Sequence, residues 1–508
     1  MTYREQIDAL LAEPEKLMRK KPFYRGGSYN PRSSQRNAYM GDMIEEPLPE
    51  TKMAVVPQMQ FLMELDPNSH KVLFDDNIPS ITQKINDRYV TIQYARMAVP
   101  FQRIIKNKHL LHLCGNKTVF TQIDINPTEQ QARDFIMFKQ YWDERNQDGM
   151  RTKMVDAQLS CGDAGLLYYY DYKGRIKSRL LSYADGYVLY PHNDENGDRL
   201  LDCVYYRKDG SEYLDCYDDT YRYRFIRGGD YVSDNPTGWV RESAVAHGFS
   251  ESPLVTKRGD VAWNNVQNTI EVYEVMYNIF LVIQKRHGWG ILYVKGKFLD
   301  EGKKIAGAIV LNDTSMDKSG SAEFKTPPTP DGMLQTLNLM EETIQKGSST
   351  TFILPKDVNM SGDVSGIALQ IAQSFDNEEA LRNVIDWQNV IDKCARLFKE
   401  GLSHELVNKN IRSTAVTDFR NLHIAAKMKP WRPLNETEYN NMLASLKNSG
   451  LISERTGVEK NTESTPDEMA RKRKETEEAI ERERLKTKEG SDETTETETI
   501  EETISTNR

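Results

Sequence analysis

Hydrophobic and polar positions along the 508-residue chain alternate between helical, strand-like and unpatterned stretches. The longest sustained helical pattern lies between Asp260 and Ser403. Val266, Ile270, Tyr273, Tyr277 and Phe280 recur in steps of four and three, the spacing of one helix face. Gly259 breaks the strand before them and Asp260 is an N-cap residue type, so the predicted helix runs from Asp260 to about Arg286. From Val275 to Ile283 it is apolar nearly all round, interrupted by Asn278, as in a helix covered by several neighbours. His287-Gly288-Trp289-Gly290 stops it. A small insert follows, with strands predicted at Ile291–Val294 and Ala308–Leu311, closing at Thr326–Pro330. Leu334, Leu337, Met340 and Ile344 form the stripe of a second helix that ends at Gly347. A polar loop, Phe352–Ser365, then precedes a helical pattern sustained from Gly366 to about Ser403.

The flanks are patterned differently. The opening MTYREQIDALLAEPEKLMRKK reads as an amphipathic helix without a secretory apolar region, so export or membrane targeting is not expected. The segment Arg25–Asn37 has the Gly, Ser, Asn and Pro of an irregular arm, either draped over a neighbouring subunit or simply a flexible terminus. Met53–Asp156 is mainly helical, with Thr128 and Gln131 spaced as a capping box and a short hairpin predicted over His109–Phe120, turning at Gly115-Asn116. Ala157–Val255 consists of short β-rich runs parted by Lys173-Gly174, Asn196-Gly197, Asp209-Gly210 and Gly228-Gly229, which predicts an antiparallel meander. Residues 404–433 connect, Leu434–Leu451 reads as a helix, and Pro466 opens a highly charged one. The Glu/Thr/Ser tail from Glu489 lacks the apolar content to fold. A chain of this length predicts two to four domains.

Charge narrows the function. At a net charge of −9 the chain as a whole is not built to grip nucleic acid, whose affinity comes from releasing phosphate counterions, although it can border nucleic acid that moves past it. The basic run Arg471–Lys474 is flanked by Glu475, Glu477 and Glu478, as in a self-paired solvated helix; contact with DNA phosphates is the alternative. Five scattered cysteines with no CxxC spacing read as reduced thiols in a cytosolic setting, buried as small hydrophobes. No run approaches the roughly 20 apolar residues of a membrane span.

The motifs of catalysis fail on spacing. Gly290–Phe298 has five residues between its glycines, where a phosphate loop needs four, and Phe298 stands in place of the metal-binding hydroxyl. His404-Glu405 opens like a zinc-protease helix, but Asn408 occupies the place of the second histidine. Asp194–Asp198 lacks calcium-loop spacing and reads as a hairpin turn. No named catalytic constellation and no cofactor site is expected, and an active site scattered along the chain stays open.

The order of elements resembles the portal proteins of tailed bacteriophages, especially the siphophage type of about this length. The resemblance covers about residues 60–460. It rests on the aromatic hairpin around Asp171–Ile176, the proline-containing exit Ser250–Val255, and the helix, insert and helix of Asp260–Lys346. It rests further on the Ser365-Gly366-Ile367-Ala368-Leu369 opening of the long helix and on Gly450–Ser453 with Thr456. The implied fold is α+β and mainly helical: an N-terminal arm (1–55), a wing of helices and antiparallel β meander (56–259), stem helices (260–287 and 330–347) and a small α/β clip (288–329). A tunnel loop (348–365), a long wing helix with its connection (366–433), a helical crown (434–488) and an acidic tail (489–508) complete it.

The resemblance implies a twelve-subunit ring at one capsid vertex, through which double-stranded DNA is packaged and ejected. Such a ring docks the large terminase subunit, capsid or scaffold proteins, and later head-completion or tail adaptor proteins. It is found in the virion, and in host cytoplasm during assembly. Lys356, Asp357, Asn359 and Asp363 then line the channel. Trp289, Tyr293, Lys295, Lys297, Asp313 and Lys318 form the clip contacts, and Tyr273, Tyr277, Phe280 and Ile283 the subunit interface of the stem. The competing readings are another head-tail connector or minor capsid protein, and an enzyme with a scattered site.

Overall fold

The computed structural model describes residues 3–18, 57–75, 81–85, 88–92, 96–124, 127–227, 238–287, 291–295, 309–313, 321–325, 331–352, 373–408, 419, 422–432, 436–453, 457 and 472–481. The elements in chain order begin with helices α1 (Tyr3–Leu11), α2 (Pro14–Leu17) and α3 (Pro57–Leu65), then strands β1 (Ile81–Ile85) and β2 (Arg88–Ile92). Helix α4 (Phe101–Cys114), strand β3 (Val119–Gln122) and helices α5 (Glu129–Glu144) and α6 (Gln147–Cys161) lead into the β-rich part. That part holds β4 (Asp163–Tyr170), β5 (Ile176–Leu181), β6 (Val188–Asn193), β7 (Arg199–Lys208), β8 (Ser211–Tyr217), β9 (Tyr221–Arg227), β10 (Val240–Ala246) and β11 (Leu254–Arg258). Helix α7 (Gln267–His287), strands β12 (Ile291–Lys295), β13 (Ile309–Asp313) and β14 (Ser321–Lys325), and helix α8 (Asp331–Gly347) follow. Last come the long α9 (Ser374–Asn408), β15 (Ile424–Lys427) and α10 (Glu436–Asn448). The chain is thus mixed α/β, with mainly antiparallel sheets. It divides into two units: residues 354–372 and 432–508 form one, and the remainder the other.

Local signals account for much of this. Thr128 caps α5 through Gln131 N–H at 3.2 Å, and the Gln131 side chain accepts the Thr128 N–H at 2.9 Å, a complete capping box. Asp209 and Gly210 both take positive φ between β7 and β8, as a two-residue hairpin requires. Asp171 and Asp194 each accept two backbone amides in the turns after β4 and β6. The meander is antiparallel but splits into a five-stranded sheet, β10-β9-β8-β7-β6, and a three-stranded sheet, β11-β4-β5.

Among the described residues, four apolar cores hold the larger unit. The largest joins α4, α5, α6, the β4–β5–β11 sheet and α9 around Phe138, Trp142, Phe398 and Phe120. A second packs α3 and α4 against α7 and α8. A third lies between the two sheets. The fourth places Ile7, Leu11 and Leu17 under the five-stranded sheet.

The N-terminal helix packs on the five-stranded sheet of its own chain and covers Leu201, Leu214 and Phe225; the arm at residues 25–37 lies outside the described residues. Several expectations need correcting. His109–Phe120 is not a hairpin: helix α4 continues through Cys114. Gly115 is there for space, since a Cβ would come within 2.7 Å of Trp431 Cβ. Asp260 does not start a helix. Residues 261–266 form turns that bury Val261, Trp263 and Val266, and α7 begins at Gln267. The β1–β2 hairpin interrupts a stretch expected to be helical. Residues 404–433 are more than a connection: α9 runs on to Asn408, and β15 pairs with β3. The insert has a third strand, β14, and a mixed sheet in which β12 runs parallel to β13 and antiparallel to β14. The start of the long helix at 366–372, Pro466 and the tail from Glu489 lie outside the described residues.

Candidate functional site

Helices α7 and α8 pack together and are joined through the β12–β14 insert, so the sequence order helix, insert, helix becomes one structural unit. Taking 21 and 17 residues at 1.5 Å each, the helices are about 31 and 26 Å long. Tyr273 is buried in its own protomer, edge-on to Phe101 at 5.1 Å, and Tyr277 stacks on it at 6.0 Å. Tyr277 and Phe280 are half-buried against the same core, and Ile283 is also half-buried. Val272 on α7 and Leu339 on α8, by contrast, are 54% and 63% exposed.

A buried polar network fixes α7, and sequence periodicity missed it. Glu274 Oε1 lies 2.6 Å from His70 Nδ1 and accepts the Val99 N–H at 2.8 Å. His70 Nε2 faces the Glu64 carbonyl at 2.9 Å, and the Glu64 carboxylate accepts Trp263 Nε1–H at 2.9 Å. Asn278, which breaks the apolar run, pairs with both backbone groups of Met97, accepting at 2.8 Å and donating at 2.7 Å. These polar groups are buried, so each needs its partner. A polar residue inside an apolar helical run was the available signal.

A second cluster surrounds the residues where the chain leaves α8 and enters α9. The Asp376 carboxylate, in the first turn of α9, accepts the Thr351 N–H at 3.1 and 3.3 Å. The Gln345 side chain accepts the Phe352 N–H, and Phe352 stacks on Phe101 at 5.5 Å. His109 Nε2 contacts the Ser348 carbonyl at 2.9 Å and Thr350 Oγ1 at 3.0 Å. Burial pushes both His109 and His112 below the ordinary histidine range, which keeps them neutral. Both ends of segment 353–372 are therefore held at one junction of α4, α8 and α9. Lys356, Asp357, Asn359 and Asp363 fall within that segment, outside the described residues.

Of the insert residues, Trp289, Lys297 and Lys318 lie outside the described residues. Tyr293 and Lys295 occupy β12, and Asp313 ends β13, in register with Lys295. His404-Glu405 has a structural role: Glu405 is buried, accepts the Ile176 N–H at 3.0 Å and pairs with Arg145 at 3.1 Å. Among the described residues no group of three His, Cys, Asp or Glu side chains is placed to hold a metal, and no helix is long and apolar enough to cross a membrane. A family model described as phage portal protein, SPP1 Gp6-like, matches residues 56–482. No curated protein matches the chain.

Proposed function

The chain belongs to the SPP1 Gp6-like phage portal protein family, and from that we propose that it forms a twelve-subunit ring through which double-stranded DNA enters and leaves the capsid. The family is structural and in general non-enzymatic, and it implies a homo-oligomeric ring in the virion capsid. The observation that carries the finer reading is the order of α7, the β12–β14 insert, α8, segment 353–372 and α9.

In this reading α7 and α8 are the stem, the insert is the clip, and 353–372 contains the loop facing DNA. Lys356, Asp357, Asn359 and Asp363 line the channel. Their mixed charge suits passage, because strong phosphate contacts would hold the DNA in place. Trp289, Tyr293, Lys295, Lys297, Asp313 and Lys318 contact neighbouring subunits, the terminase large subunit and later adaptor proteins. Tyr277, Phe280 and Ile283, with the more exposed Val272 and Leu339, supply the stem contacts between subunits; Tyr273 supports them from inside its own protomer. The exposed apolar Phe375, Leu381 and Ile385 of α9 extend that contact surface.

Negative-stain microscopy of the purified full chain tests the proposal. Rings with a central hole and about twelve-fold symmetry are expected. A monomer under every condition of salt and concentration would refute it.

A further inference from the structure

Cys203 on β7 and Cys216 on β8 stand directly opposite each other in the antiparallel register. Facing residues in such a pair have Cα atoms about 4.5 or 5.5 Å apart, both within the span a disulfide bridges. The two thiols are close enough to hydrogen-bond to each other, and both are reduced. The other three cysteines have no such facing partner, and Cys394 sits in a different core.

We propose that Cys203 and Cys216 form a cross-strand disulfide when the protein meets a small-molecule disulfide, with α1 as the cover that sets the rate. One cysteine thiolate attacks a sulfur of the oxidant, breaking its S–S bond and releasing one thiol. The second cysteine gives up its proton to solvent and attacks the sulfur now bound to the protein, releasing the second thiol. Two protein thiols become one disulfide, and the two electrons leave on the oxidant, which ends as two thiols.

The cover is visible in the packing. Both cysteines are buried in the core that also holds Ile7, Leu11 and Leu17. Helix α1 is fastened above them by Arg4 to Asp218 at 3.0 Å, Arg4 to Tyr223 at 2.7 Å and Tyr3 to Asp219 at 2.9 Å. Burial also pushes the Cys203 thiol well up, so Cys203 is a poor nucleophile until the helix lifts. A portal is built in a reducing cytoplasm and then carried in a particle outside it, so the pair meets both redox conditions. That timing rests on the phage-portal reading, whereas the chemistry does not.

The test incubates the full chain with oxidised glutathione, caps remaining thiols with an alkylating reagent, and maps tryptic fragments without reduction. Cleavage after Arg199, Arg207, Lys208 and Arg222 isolates fragments 200–207 and 209–222. The expected product is these two fragments linked, two hydrogens lighter than their sum. It should form several-fold faster in Arg4→Ala and be absent in Cys216→Ser, and the linked protein should melt higher until reductant is added. Recovery of both fragments as separate alkylated or glutathionylated peptides, in wild type and Arg4→Ala alike, would overturn the disulfide. Equal rates in the two proteins would overturn the role of α1. The result does not depend on ring formation, so failure here and failure of the portal reading are separable.

Discussion

Removing Glu274 should be far more damaging than its place in an otherwise apolar helix suggests. In Glu274→Ala, His70 Nδ1 and the Val99 N–H both lose their acceptor inside the protein. Each orphaned buried group costs about 1–3 kcal/mol, so a loss of about 2–6 kcal/mol is expected. His70→Ala leaves Glu274 with the Val99 N–H, but removes the ring nitrogen that partners the Glu64 carbonyl. In the double variant the imidazole that Glu274→Ala stranded is gone. Its cost should therefore fall short of the summed single costs by at least about 1 kcal/mol. Urea unfolding followed by tryptophan fluorescence measures all three, and Trp263 reports locally because its indole donates to Glu64 in the same network. Two results would refute the reasoning: Glu274→Ala within about 0.5 kcal/mol of wild type, or single costs that add to within about 0.5 kcal/mol.

Three further outcomes are expected. Phe398→Ala empties a fully buried position edge-on to Trp142 at 5.3 Å and should lower stability by about 3–5 kcal/mol in the same urea assay. Gly401→Val should cost at least the about 1–3 kcal/mol of overpacking, because a Cβ there lies 2.5 Å from Ile176 Cδ1 and 3.1 Å from its Cβ; Ile176→Ala in the same chain should recover part of the loss. Acid should destabilise the protein through His109 and His112, whose buried rings hold their folded-state values below those of the unfolded chain. The unfolded state then binds more protons, so this contribution is complete above about pH 7. It is lost as pH falls through about 6.5, by at most about 1.4 kcal/mol per unit for each histidine. Melting temperatures between pH 7.5 and 5.5 check this, and His112→Gln should flatten the slope.

What could be read from the chain depended on how far apart the interacting residues are. Thr128 and Gln131 declare their cap within four residues, and Asp209-Gly210 declares its turn within two. Pairings such as Phe120 with Ala426, or Ile7 under Phe225, are set by partners elsewhere in the chain, and no local pattern marks them. Gly115 shows the hazard. The same residue suits a turn or a close approach, and only Trp431, more than 300 residues later, decides which. In the candidate site, the order of helix, insert, helix and long helix was legible from periodicity, with family membership resting on the match to residues 56–482. The supports of that site were not legible, because Glu274 and Asn278 look like interruptions until His70 and Met97 arrive beside them.

The β3–β15 pair has a consequence for how the protein is made. Gln122 is partnered by Ile424, 302 positions later (424 − 122), and the largest core draws on both flanks of that pair. At the usual 5–20 residues per second of synthesis, β3 waits about 15–60 s before its partner exists. The early helices α4 to α6 therefore spend that interval without the strand and the long helix that cover them. A nascent chain is thus incomplete as a building block until nearly all of it has left the ribosome, which delays association between copies until synthesis is almost done. Ribosome-bound chains from which residue 424 has not yet emerged should accordingly be cut by protease in the α4–α6 region, and chains from which residues through 432 have emerged should resist.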